Sequence, residues 1–244
     1  MRIVRGITLP LVLALVAPRA EAQADVHRFT VAPRGGYLHF DRASSIAPAA
    51  FVGVEATYAV TNFFTIGPTF AASRPSTRGE DFIASMSFAD TTFLFQVQQP
   101  LGVFDIGLAA SLRAPTMLGR VAPYLIGSVG TYVIYMDPQV MRGPRSFSKL
   151  SMAGGAGLNV RVSDRAGVML EVRDHIFTDY DRTRLNPTST QFQNSRFVED
   201  FPAPPAAKST IHNLAFSLGF RYVPSRNDDG TSQGDQGGTT GGSN

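Results

Sequence analysis

The stretch Ser151–Ile176, SMAGGAGLNVRVSDRAGVMLEVRDHI, decides the fold. With a period of two, Met152, Ala156, Leu158, Val160 and Val162 share one face. Ser151, Gly155, Gly157, Asn159 and Arg161 share the other. Ser163-Asp164-Arg165 makes a short polar turn, and the rule then repeats: Val168, Leu170, Val172 and Ile176 oppose Met169, Glu171, Arg173 and His175. Strict alternation across a tight turn predicts a β-hairpin. One of its faces is a continuous apolar band, while the other carries glycine, asparagine and full charges. In a soluble sandwich the charged face meets water; in a membrane barrel the apolar face meets lipid and the polar face lines the lumen.

The N-terminus bears on the choice. Arg2 and Arg5 precede an apolar run over Ile7–Ala17, and Ala20-Glu21-Ala22 has the A-x-A form of a cleavage site. This is the pattern of a secretory signal peptide over residues 1–22, and the run is too short to cross a bilayer as a helix. Removing it takes three of 22 Lys+Arg and one of 19 Asp+Glu, leaving 19 against 18, or +1. The basic balance therefore owes much to the leader, and no nucleic-acid partner is expected. No later stretch is a continuous apolar twenty-mer, which argues against a helical membrane protein. Cysteine is absent, so there is no disulfide framework or thiolate site.

Outward from the hairpin, further alternating runs follow in order. His27–Phe40 is the predicted first strand, with Gly35-Gly36 as a bulge or kink. Ala50–Val60 sets Val52, Val54, Ala56, Tyr58 and Val60 against Gly53, Glu55 and Thr57. Phe63–Ser73 sets Phe64, Ile66, Pro68 and Phe70 against Thr65, Gly67, Thr69 and Ala71. Arg74–Ala89 is a polar loop. Asp90–Arg113 reads as one long strand broken at Pro100–Gly102, with Phe104, Ile106, Leu108, Ala110 and Leu112 opposite Asp105, Gly107, Ser111 and Arg113. Val121–Met136 is a strand with two fairly apolar faces and no readable orientation. Asp137–Ser148 is a loop, and Thr178–Lys208 is the longest one. Ser209–Val223 closes the set, with Leu214, Phe216, Leu218, Phe220 and Tyr222 against Asn213, Ala215, Ser217, Gly219 and Arg221. The chain ends SRNDDGTSQGDQGGTTGGSN, a composition that cannot build a core.

Counted this way there are eight strands joined alternately by short turns and longer loops. Short periplasmic turns and long outer loops belong to outer-membrane barrels. The expected architecture is all-β: an eight-stranded antiparallel transmembrane up-and-down β-barrel over residues 23–224, with a signal peptide before it and a disordered tail over 225–244. Eight strands enclose a lumen that side chains largely fill.

Four pieces, GVEATYAVTNFFTIGP (53–68), APYLIGSVGTY (122–132), GGAGLNVRVSDRAGVMLEVRDH (154–175) and NLAFSLGFRYV (213–223), resemble the glycine-and-aromatic hairpins of the small OmpA/OmpX-type outer-membrane barrels. The resemblance covers about Val26–Val223. It implies export through the general secretory pathway, residence in the outer membrane of a Gram-negative cell, contact with outer-membrane lipid and lipopolysaccharide, and insertion by the barrel-assembly machinery. It also implies a monomer. The chain departs from that family in carrying a tail after Phe220 and Tyr222, where the family ends near an aromatic residue. The tail is also too short to be the peptidoglycan-binding domain of the larger members.

The candidate site is the polar lining of the lumen: Glu55, Asp105, Arg113, Asn159, Arg161, Glu171, Arg173, His175 and Arg221. Glu171 and Arg173, two apart on one strand face, are within reach of each other. A charge in a narrow lumen must be paired or hydrated, so a structural ion-pair plug is expected, with Arg113, Arg161 and Arg221 at the periplasmic mouth. Arg173-Asp174-His175 is the best enzymatic candidate. Outer-membrane deacylases, however, place a serine two residues after the histidine, and here that position is Phe177. His27, His39 and His212 lack metal-ligand spacing, and no helix follows GGAGLN to make a nucleotide loop. A non-enzymatic barrel with no cofactor and a structural, adhesive or narrow-pore role is expected. The competitors are a barrel enzyme acting on lipid A or peptides and a soluble lipocalin-like binder, although this chain lacks tryptophan.

Overall fold

The computed structural model describes residues 28–88, 90–114, 120–136, 145–163, 165–185 and 205–224. The predicted signal peptide and the tail after Pro224 lie outside the described residues. Ten strands follow in chain order: β1 (Phe29–His39), β2 (Ala49–Ala59), β3 (Phe64–Ser73), β4 (Ile83–Phe88), β5 (Thr91–Gln96), β6 (Leu101–Arg113), β7 (Val121–Met136), β8 (Arg145–Arg161), β9 (Ala166–Phe177) and β10 (Ile211–Tyr222). Eight of them close a barrel in the order β1-β10-β9-β8-β7-β6-β3-β2, and β4 and β5 form a separate two-stranded sheet. Every pairing is antiparallel, and β1 against β10 shuts the barrel from Val31↔Tyr222 to His39↔Leu214.

The alternation read from the sequence places side chains in the barrel. Outward leucines line up across neighbouring strands, Leu158↔Leu170 and Leu170↔Leu218. All three stay exposed, as do Val52, Phe70, Leu108, Leu125, Val129, Phe216 and Phe220. An apolar band of this extent around the whole circumference is a surface made for lipid, not for water. The β8–β9 turn is tight because the N–H groups of Val162 and Ser163 both donate to the Ala166 carbonyl, while the Ser163 hydroxyl accepts from the Ala166 N–H.

Four expectations are corrected. Asp90–Arg113 is two strands, not one. Gln96 ends β5, which pairs only with β4, and the barrel strand begins at Leu101. Pro100 explains the break, since it cannot donate to a ladder. The barrel still has eight strands because the extra hairpin stands outside the closed sheet. Secondly, Gly35-Gly36 is neither bulge nor kink: the register to β2 and to β10 runs through both residues without a slip. Gly36 is needed for close approach, as a Cβ there would fall 1.9 Å from the Phe216 carbonyl oxygen. Thirdly, the strand expected to begin after Ser148 begins at Arg145, pairing with Met136. Fourthly, Val121–Met136 does have an orientation: Tyr132 and Ile134 point into the barrel and are fully buried, whereas Leu125, Val129 and Tyr135 point out. Pro68 keeps its place in β3, and the β2–β3 pairing passes from Glu55↔Thr69 to Tyr58↔Ile66 over it.

Candidate functional site

The lumen is layered, and the rows of its lining follow a size rule. β9 contributes the bulky inward row Glu171, Arg173, His175 and Phe177. Its neighbours set small residues beside the two charges: Glu171 pairs with Gly157 and Ser217, and Arg173 with Gly155 and Ala215. The glycines of the hairpin motif are seats. A Cβ on Gly157 would lie 2.6 Å from the Tyr124 hydroxyl, so glycine is required for that tyrosine to cross the barrel.

The middle layer is an ion-pair network. Arg34 Nη1 donates to Glu171 Oε1 at 2.8 Å and its Nη2 to the Thr69 hydroxyl at 3.2 Å. Tyr124 donates its hydroxyl to Glu171 Oε2 at 2.8 Å. Arg173 binds Glu171 through its Nε and, at 2.9 Å, through Nη2, which also reaches Glu55 Oε2 at 2.8 Å. Glu55, Glu171, Arg34 and Arg173 are all buried. β1 and β7 stand opposite each other in the barrel order, so Arg34, Glu171 and Tyr124 brace the full width of the lumen. Two acids meet two arginines, and the layer is formally neutral.

The next layer is a second brace. Asp105 on β6 accepts from the Ser151 hydroxyl at 2.6 Å and from His175 Nδ1 at 2.8 Å. Asn213 donates to the His175 carbonyl at 3.1 Å and accepts from the Asp41 N–H at 3.2 Å, tying the brace to the β1–β2 loop. Serine, histidine and aspartate thus lie together, but not in the order nucleophilic catalysis needs. There the histidine must take the serine proton; here the serine hydroxyl is spent on the carboxylate.

Above the brace the lumen becomes apolar. Leu38, Phe40, Ile46, Phe51, Val103, Tyr132, Ile134, Phe177, Leu185 and Ile211 form one buried cluster, and Tyr132 stacks on Phe177 with ring centroids 4.3 Å apart. The loops are fastened over it. Tyr180 donates to the Ser44 carbonyl at 2.6 Å, Arg42 forks onto Asp81 at 2.5 and 2.8 Å and pairs with Glu80 at 2.8 Å, and Lys208 pairs with Asp41 at 3.1 Å. Burial works to raise the Asp81 carboxyl, but the hydrogen bond and charge of Arg42 outweigh it and hold the group below its ordinary range. Burial pushes the Tyr180 hydroxyl up, so it stays a neutral donor.

Of the nine predicted site residues, Glu55, Glu171 and Arg173 thus sit in the network and Asp105 and His175 in the second brace. Arg113, Asn159, Arg161 and Arg221 line a cavity at the turn end of the barrel. Sequence reasoning missed Arg34, whose parity along β1 was hidden by Pro33 and by the glycine pair, and Tyr124, whose strand is apolar on both faces. Among the described residues no three His, Asp or Glu side chains converge as metal ligands would. A cavity of about 630 Å³ lies on the outside wall against Val52, Phe104 and Tyr135, away from these charges.

No family model matches the chain, and no curated protein matches it. Solved structures do. Neisserial surface protein A has a similar fold, with a TM-score of 0.50 and 12% identity, over 80% of this chain and 96% of that one. OprG of Pseudomonas aeruginosa matches with a TM-score of 0.42 and 10% identity, over 82% and 98%. Ail of Yersinia pestis, solved with the heparin analogue sucrose octasulfate, matches at 0.40 and 10%, over 80% and 97%. The chain has the fold of the eight-stranded outer-membrane β-barrels.

Proposed function

We propose that this chain is a non-enzymatic outer-membrane barrel with a plugged lumen, acting through its tied outer end as a surface or adhesive protein rather than as a pore. The short turns and both ends of the barrel face the periplasm, and the fastened loops face outside. Lipid and lipopolysaccharide are its surroundings, with delivery by the secretory pathway and insertion by the barrel-assembly machinery. The single observation that carries the proposal is the brace from Arg34 through Glu171 to Tyr124, sealed above by the second brace and the apolar cluster. Ions crossing the lumen would have to displace paired, buried charges and then traverse an apolar layer, and both are costly.

The test is a planar-bilayer recording of refolded protein. The proposal predicts no steady conductance above the bare membrane. A persistent open level in most insertions would overturn it in favour of a standing pore.

A further inference from the structure

The outside wall of the barrel is not smooth all round. Near the loop end, β2, β3 and β6 turn the small residues Ala50, Ala72 and Gly102 outward. Val52↔Ala72 and Ala72↔Phe104 pair across the wall, and Gly102 pairs with Tyr135. Three small residues beside Val52, Phe104 and Tyr135 leave the hollow of about 630 Å³, which is mostly apolar. Its sides are held in place. Phe104 stacks on Phe70 with ring centroids 6.4 Å apart. A Cβ on Gly102 would lie 3.2 Å from Phe104 Cε2 and 3.7 Å from Tyr135 Cβ, so a side chain there would enter the hollow.

The register gives its height. Ala50 pairs with Tyr37 and Gly102 with Tyr135, and both tyrosines are exposed. Tyrosines on the outer face of a barrel mark the level where hydrocarbon gives way to headgroups. Arg74 lines the hollow at that level, one residue past the last β3–β6 pair, Ser73↔Val103, and is exposed. Val52, Ala72 and Phe104 lie one row deeper, toward the middle of the wall. A hollow in a lipid-facing wall forfeits the dispersion contacts of its lining unless something fills it, and an apolar one gives water few partners. Its size falls within the roughly 300–1,000 Å³ of ligand sites. We infer that the hollow binds one lipid of the outer leaflet, with an acyl chain on Ala72 and Gly102 and a phosphate on Arg74. On the loop side that lipid is lipopolysaccharide, through its phosphorylated, acylated anchor. The site rests on the proposed membrane orientation and adds to it a fixed place where one lipid is held.

The test uses the full chain, refolded in zwitterionic micelles doped with diphosphoryl lipid A and weighed by native mass spectrometry. Gly102→Leu and Ala72→Leu each fill the floor, Arg74→Gln removes the charge outside any strand, and Leu170→Trp alters β9, which stands opposite β3. Heat-modifiable gel mobility shows which variants have folded. One retained lipid A per chain, weakened at least tenfold in a folded floor variant, less in Arg74→Gln and not in Leu170→Trp, supports the site. Retention unchanged in a folded floor variant or in Arg74→Gln, an equal loss in Leu170→Trp, or a dimer in place of a bound lipid overturns it. Wild type that inserts into phosphatidylcholine vesicles yet retains no lipid A overturns the site and leaves the membrane reading standing, whereas failure to insert overturns both.

Discussion

The middle of the lumen and its turn-end mouth both carry arginines, in different surroundings. In the middle, each charge has a partner on another strand or two residues along its own, and the layer is neutral, buried and braced across the barrel. At the mouth, Arg113, Arg120, Arg161, Arg165 and Arg221 line one cavity with Asn159, and Arg120, Arg161 and Arg165 are exposed. The difference teaches that inward charge in a small barrel is not one property. Paired and desolvated, it braces the strands across the lumen; at the rim it stays in contact with water.

The largest effect that should separate the two regions comes from Glu171→Ala. Breaking a buried pair costs about 3–5 kcal/mol in dry interiors, and the change would leave both Arg34 and Arg173 short of a partner. The urea midpoint of refolding in vesicles should fall well below wild type, while Arg161→Ala at the rim should stay within about 0.5 kcal/mol. Equal midpoints for the two variants would erase the distinction.

A second comparison sets the outside against the inside of β10. An arginine on the lipid face at mid-bilayer costs about 2–4 kcal/mol, so Leu218→Arg should impair folding into lipid much more than Ser217→Arg. Equal yields would refute the assigned faces. A smaller effect tests the seats of the network. Gly157→Val should cost about 1–3 kcal/mol by overpacking, because it strikes the Tyr124 ring, and should free the tyrosine hydroxyl from Glu171. A tyrosine environment unchanged by ultraviolet resonance Raman would show that the glycine is not a seat.

The smallest effect lies in the loops. Because the Asp81 carboxyl is depressed in the folded chain, its tie to Arg42 contributes stability above the ordinary carboxylate range, near pH 3.9. That stability is lost as pH falls through the still lower folded value. Arg42 is partly exposed, so the tie is worth about 1 kcal/mol or less. The Arg42 Nε–H resonance in micelles should hold its position from pH 7 to pH 5 and move only in stronger acid. Movement centred near pH 6 would assign the tie to another group.

Much of this was legible in the sequence because a barrel wall forces alternation: a one-residue slip would turn Glu171 and Arg173 into the lipid. The faces of β2, β3, β8, β9 and β10 could be read for that reason. What could not be read has physical causes too. β4 and β5 pair with each other outside the barrel, so no lipid wall constrains them; β4 reads as part of the polar loop Arg74–Ala89, and the alternation of β5 merges with that of β6. β7 is apolar on both faces because its upper half packs into the closed apolar end of the lumen, where Tyr132 and Ile134 are buried. The partner of Glu171 on β1 lies 137 residues away, a contact set by barrel closure, which no local pattern records. The division of the polar lining into a neutral middle layer and an arginine-lined mouth depends equally on height along the barrel, which parity alone does not supply.

The central claim is that Arg34 and Glu171 are coupled across the lumen, and a double-mutant cycle measures that coupling directly. Wild type, Arg34→Ala, Glu171→Ala and the double variant would be unfolded by urea in the same vesicles. The plugged lumen predicts that the double variant loses less stability than the two single losses combined, by a coupling of about 1–3 kcal/mol. Strictly additive losses would mean that the two charges are separately hydrated, and that water rather than a brace fills the middle of the barrel.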